Sequence, residues 1–224
     1  MNFIEWPHED KHFAVGYYDG YVKYGTKDPN VNVFTSRAHD GCLSGLSFDP
    51  SGTFLATCGG DRTCRIWAER NNYWICTQEI VLESDGVSLK WSSFPKDDTL
   101  LLVIGLSSGT ASVWSMSTST AEASDDINSE GEIFTPKLLQ TLRCHTFNPV
   151  ACLSVHRNGT IVATGGGRGN GVVNLWSTEH GTLIYTVTGQ GAVTGLRWIG
   201  DNALAVCFSR SRVSIPNHDD CSEV

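Results

Sequence analysis

The 224-residue chain has no apolar run approaching the roughly 20 residues that carry a helix across a bilayer. Its opening stretch, Met1 to Lys11, mixes Glu5, His8, Glu9 and Asp10 with scattered apolar positions, so no secretory signal is read there. Charge is sparse at 18% of residues, and basic side chains are the minority, 16 against 24 acidic for a net charge of −8. Sequence-independent nucleic-acid binding needs Lys and Arg to neutralise phosphates, so that class is disfavoured. There is no CxxC and no HxH, and His8 and His12 flank a charged turn near the start. The eight cysteines, at 42, 58, 64, 76, 144, 152, 207 and 221, form no repeating cluster and sit mostly in apolar stretches. Reduced, buried thiols are expected, with no disulfide framework and no metal site. Cytoplasm is the expected location, with the nucleus as the alternative; no Lys/Arg-rich run marks a nuclear signal.

What is plentiful is glycine (23), tryptophan (7) and apolar residues (40%), which favours strands joined by tight turns. The stretch His39–Trp67, HDGCLSGLSFDPSGTFLATCGGDRTCRIW, alternates through Leu43–Phe48 and turns at Asp49-Pro50-Ser51-Gly52. It alternates again through Thr53–Cys58, turns at Gly59–Arg62 and runs through Thr63–Trp67. That is an antiparallel meander. Val150–Trp176 repeats it, with Asn158-Gly159 in place of Ser51-Gly52 and IVATGG matching FLATCGG. Val87–Trp114 is a third copy, Phe13–Tyr24 a partial first, and Gly191–Ile215 a worn fifth in which Pro216 stands where a closing Trp would be. From Trp67 to Trp114 is 47 residues and from Trp114 to Trp176 is 62. A period of about 40–45 residues with four strands per unit is what a propeller blade requires.

On these residues the chain resembles the WD-repeat family over nearly its whole length. The resemblance implies an all-β propeller of about five four-stranded blades, roughly 1–36, 37–82, 83–140, 141–187 and 188–215. It also implies a hydrogen-bonded network of His, Ser/Thr, Asp and closing Trp in each blade. Only the second repeat carries all four, as His39, Thr57, Asp61 and Trp67. The fourth keeps His145, Thr164 and Trp176, but GRGNG (167–171) supplies no Asp. The third keeps Trp114, with Ile104 and Ser108 at the Thr and Asp places; the first has Asp19, with Gly25 at the Trp place. No Trp-Asp pair occurs: Ala68, Ser115 and Ser177 follow the three tryptophans. Nothing in the sequence reads as a closing outer strand, so the ring is expected to be incomplete. Residues 117–135 hold five acidic residues and no basic one and read as a mobile acidic insertion, with Ser124 and Ser129 as candidate sites for an acidophilic kinase. Residues 216–224 read as a polar tail.

Tempting chemistry dissolves on inspection. GGGRGNG fails the GxGxxG spacing in every register, and Asn158-Gly159-Thr160 reads as a hairpin turn ahead of a glycosylation sequon. Cys144 and His145 are neighbours that, on a strand, would face opposite ways. No catalytic residue and no cofactor are predicted. The expected function is a non-enzymatic scaffold that presents loops to protein partners within a larger complex, without nucleic acid or membrane. Alternatives are a substrate-recognition module of a ubiquitin ligase or another multidomain enzyme, and behind it a propeller hydrolase. Candidate partner-binding residues are Tyr17, Tyr18, Arg62, Arg65, Tyr73 and Trp74, of types enriched at interface hot spots. Arg197, Arg210 and Arg212 of the fifth copy extend the set, and acidic groups are the expected partner chemistry.

Overall fold

In a computed structural model the described residues are 3–6, 12–26, 33–70, 73–93, 99–119, 133–167, 169 and 171–209. They form strands and turns only, and no helix long and apolar enough to cross a membrane occurs among them. Blade 1 contains β1 (Phe3–Glu5), β2 (His12–Gly16), β3 (Tyr21–Thr26) and β4 (Phe34–Arg37). Blade 2 contains β5 (Leu43–Phe48), β6 (Phe54–Gly59), β7 (Thr63–Arg70) and β8 (Tyr73–Val81). Blade 3 contains β9 (Gly86–Ser93), β10 (Leu100–Leu106), β11 (Thr110–Ser119) and β12 (Ile133–Arg143). Blade 4 contains β13 (Val150–Val155), β14 (Ile161–Gly166), β15 (Val172–Ser177) and β16 (Leu183–Thr188). A two-stranded sheet, β17 (Val193–Ile199) and β18 (Ala203–Phe208), follows as blade 5.

Each four-stranded sheet is an antiparallel meander in chain order. The turns are those the sequence signals require: Gly52, Gly109 and Gly159 all have positive φ, a conformation costly for residues with a Cβ. Asp49 caps its turn by accepting from the amides of Ser51 (2.9 Å) and Phe54 (2.7 Å). β11 and β12 run into the expected acidic insertion from both sides, pairing Ser117 with Thr135 and Ser119 with Ile133. The insertion is therefore shorter than its composition suggested, because ladder hydrogen bonds do not depend on apolar side chains. Ser124 and Ser129 lie outside the described residues, as do Arg210, Arg212 and residues 216–224.

First strands pack side by side in the order β1, β5, β9, β13, β17 around a central space. Among the described residues no comparable packing joins β17 to β1, and the ring is not closed. The core lies between blades. Tyr24, Leu43, Leu55 and Trp74 fill the first junction. Ile66, Leu89, Leu102 and Ile104 fill the second, and Leu101, Val113, Leu153 and Val162 the third. Burying each such side chain contributes roughly 1.5–3 kcal/mol, so the sandwiched blades are the best held. In β17–β18 only Val193, among the described residues, is buried to that degree.

A bulge recurs just before each closing tryptophan, between Ile66 and Trp67, Val113 and Trp114, and Leu175 and Trp176. Such an extra residue reverses which side chains of the outer strand face inward. In blade 2 the bulged residue is Thr77, and the reversal turns Trp74 into the junction with blade 1, ring-stacked on Tyr24 at 5.4 Å.

Candidate functional site

One rim of the ring carries the turns between second and third strands, together with the connections that lead into each first strand. Blade 2 shows how this rim is fixed. His39 is fully buried. Its backbone N–H donates to Gly20 O (3.1 Å) in the turn of blade 1. Its Nδ1 lies 2.9 Å from Asp61 Oδ1 in the turn of blade 2, and its Nε2 lies 2.8 Å from Thr57 Oγ1. Trp67 Nε1–H donates to the same Thr57 oxygen at 3.0 Å. One arrangement of hydrogens satisfies the whole chain. Nδ1–H donates to the Asp61 carboxylate, and the Thr57 hydroxyl donates to Nε2 while accepting from the indole. Burial holds the His39 pKa below the usual imidazole value, against the opposing pull of Asp61. Burial would raise the Asp61 carboxyl, but donation from His39, the Asp40 amide and the Thr63 hydroxyl outweighs it and lowers the pKa. Neutral imidazole and ionised carboxylate are thus the resting pair.

Onto this frame the structure places the sequence candidates unevenly. Tyr18 (66% exposed) stands free on the turn of blade 1, and Tyr17 beside it lies under Lys23 Nζ, 5.3 Å from the ring centre. Arg62 is exposed on the turn of blade 2. Arg65 is a frame residue: its guanidinium donates to Glu79 Oε2 (2.7 Å) and to the Ala38 carbonyl. Tyr73 is exposed but begins β8, on the opposite rim, with its ring 4.9 Å from Phe34. Trp74 is corrected outright. It is buried in the first junction and unavailable to a partner, because the Thr77 bulge reverses the outer strand.

The sequence reading missed Phe147. It sits on the connection between blades 3 and 4, on the same rim as Tyr18 and Arg62, and is 97% exposed. Arg62 and Phe147 are the two non-glycine residues with positive φ among those described, both at 59°. Left-handed backbone at a side chain costs on the order of 1 kcal/mol and is worth a functional explanation where the surroundings enforce it. The available signal was the run His145-Thr146-Phe147-Asn148, a polar connection with one aromatic in it.

The opposite mouth of the ring opens into a central cavity of about 830 Å³, lined by the ends of all five first strands. Glu5 Oε1 accepts from Lys90 Nζ at 2.8 Å across it. Arg157 pairs with Asp201 at its edge. Arg197 lines it too, on β17, while Arg210 and Arg212 fall outside the described residues. No group of three or more potential metal-ligating side chains occurs among the described residues. Three of the thiols are poor nucleophiles: burial pushes Cys58 and Cys144 up to about 12 and Cys152 to about 11. Cys144 and His145 lie side by side in a buried connection, and neither faces the cavity.

Comparison with known sequences agrees with this frame. The model for the WD domain, G-beta repeat, matches residues 30–68 and 136–177. Each match begins around an outermost strand, β4 or β12, and ends at the closing Trp of the next blade, so a sequence repeat straddles two blades. WD repeats thus occupy these two spans of the chain. Over 204 residues, 88% of the chain, it is 26% identical to Actin-interacting protein 1 of Drosophila melanogaster, covering 29% of that protein. It is 37% identical over 68 residues to Polyadenylation factor subunit 2 of Saccharomyces cerevisiae, 29% of this chain and 15% of that one. A 31-residue stretch, 14% of the chain, is 58% identical to 9% of the probable cytosolic iron-sulfur protein assembly protein ciao1 of Xenopus tropicalis. The chain spans less than a third of the length of these curated relatives.

Proposed function

We propose that this WD-repeat chain is a non-enzymatic interaction scaffold whose rim bearing Tyr18, Arg62 and Phe147 docks a protein partner carrying acidic groups. The observation behind this reading is that Arg62 and Phe147 are both held outward on strained, left-handed backbone on one rim. Arg and aromatic side chains are the types that anchor interfaces, and a cation among them favours carboxylates. The buried His39 network supports the reading, since it ties the turn bearing Tyr18 to the turn bearing Arg62 and so pre-organises them. Relatives named as a polyadenylation factor subunit and as an assembly protein fit work inside larger complexes.

The test replaces Phe147→Gly and Arg62→Gly, which relieve the left-handed backbone while deleting the proposed anchors. Proteins cross-linked to the chain in its native cells are then compared by quantitative mass spectrometry. The expected result is an unchanged or slightly raised melting temperature with loss of the acidic partner. An identical partner set in wild type and both variants would overturn the reading.

A further inference from the structure

His39 and His145 enter their blades alike. Each donates its backbone N–H to the turn of the preceding blade, and the His39 ring lies beside Thr57 as the His145 ring lies beside the Thr164 backbone. Around His39 a carboxylate is already in place. One Asp61 oxygen lies 2.9 Å from His39 Nδ1, and the other accepts from the Asp40 amide at 3.0 Å. That carboxylate sits at the rim surface, with the Asp61 side chain 12% exposed.

Blade 4 keeps the donors and lacks the acceptor. His145 is 5% exposed, and neither of its ring nitrogens has a hydrogen-bond partner among the described residues. Thr146 follows His145 as Asp40 follows His39, and its exposed amide meets no acceptor among the described residues either. The turn beside them is longer and rich in glycine. Five residues (59–63) separate the paired Cys58 and Cys64, whereas seven (166–172) separate the paired Gly165 and Val173, and four of those seven are glycine. A Cβ added at Gly169 meets nothing within 4 Å. A buried polar ring without a partner is costly, and a group that brings an acceptor to it relieves that cost.

We infer that the turn of blade 4 is a carboxylate-binding site, where an Asp or Glu side chain of the acidic partner takes, beside His145 and the Thr146 amide, the place that Asp61 fills beside His39 and the Asp40 amide. The partner completes in trans a network that blade 2 completes within the chain. His145 Nδ1–H and the Thr146 N–H each donate to one oxygen of the incoming carboxylate, a charge-assisted pair of bonds. Phe147, the next residue and 97% exposed, offers a contact to whatever apolar side chain flands that acid. The inference rests on the rim reading above, since it names where the acidic group of that partner goes.

Acetate serves as the probe. Long-range 1H–15N correlation spectra of the histidine rings are recorded at pH 7.5 as sodium acetate is added, with sodium chloride at equal ionic strength as the reference. His145→Leu identifies the His145 signals. Acetate is expected to shift them along a saturating curve that chloride does not reproduce, and to leave in place those of His39, which already holds Asp61. His145 signals that stay fixed, or that follow chloride equally, would overturn the inference.

Cross-linking then separates this site from the rim reading. His145→Leu, its fold checked by circular dichroism, is expected to lose the acidic partner just as Phe147→Gly and Arg62→Gly do. If the two rim variants lose that partner and His145→Leu keeps it, the carboxylate site falls and the rim reading stands. If all three keep it, both fall. His145→Met takes the place of His145→Leu if the latter does not fold.

Discussion

Blades 2 and 4 begin with the same residue types and end differently. In both, the His backbone donates to the preceding blade's turn, His39 to Gly20 O and His145 to Gly109 O at 2.9 Å. In both, the closing indole donates to a threonine, Trp67 to Thr57 and Trp176 to Thr164 at 3.1 Å. The imidazoles part company. His39 bridges Thr57 and Asp61, whereas both ring nitrogens of buried His145 lack a hydrogen-bond partner among the described residues. Burial pushes the His145 pKa down, with the Thr164 backbone a partial counterweight and no carboxylate to oppose it. The same side chain is therefore a strut in one blade and a buried polar liability in the other. What decides is the turn: Asp61 in one, a run of glycines in the other.

The sharpest way to break this comparison is to remove both imidazoles. His39→Leu leaves Asp61 short of a donor and Thr57 short of an acceptor in a buried site, at a cost of about 3 kcal/mol. His145→Leu deletes two unsatisfied nitrogens, and its cost should lie between about zero and a gain of 1 kcal/mol. Thermal unfolding by circular dichroism separates the two, since 1 kcal/mol moves the midpoint by roughly 2–4 °C in a chain of this size. Equal losses would mean that His145 has a partner after all.

A finer cut tests the threonines. Thr57→Val keeps the shape but orphans both His39 Nε2 and Trp67 Nε1, for a cost of about 2 kcal/mol, while Thr164→Val orphans the Trp176 indole alone, for about 1 kcal/mol. Urea midpoints should rank wild type, then Thr164→Val, then Thr57→Val. A reversed order would show that Thr164 supports more than the indole. In blade 3, Trp114 has adopted Ser112 Oγ (2.9 Å) in place of the missing threonine, so the indole's need outlives the residue that usually meets it.

How much of this was legible follows from the same residues. Strand alternation and turn chemistry are local, so the blade strands can be read from spacing, while the His39–Trp67 network was legible only through the family resemblance that the repeats carry. Gly25 shows the first limit. Phe13, across the ladder, fills the place its absent side chain leaves, a substitution visible only once register is known. Trp74 shows the second: one bulged residue, Thr77, swaps which neighbouring blade the start of the outer strand faces, and alternation gives no sign of it. Phe147 shows the third, because backbone strain leaves no mark in composition.

The smallest expected effect sharpens the comparison through pH. Burial lowers the pKa of both His39 and His145, so below the ordinary imidazole value of 6.5 the unfolded chain binds protons that the folded chain refuses. Stability contributed by the neutral rings is complete above that value and falls as pH drops beneath it. Asp61 pulls the other way for His39 alone, because a proton on that ring would strengthen the pair with the carboxylate. His145 has no such compensation and should carry more of the loss. Between pH 7.5 and 5.5, about a unit on either side of that value, the wild-type melting temperature should therefore fall, and His145→Leu should remove a larger part of the fall than its near-neutral effect at pH 7.5 implies. If His145→Leu leaves the pH slope untouched, His145 already takes a proton in the folded state, and the two blades are more alike than their hydrogen bonds indicate.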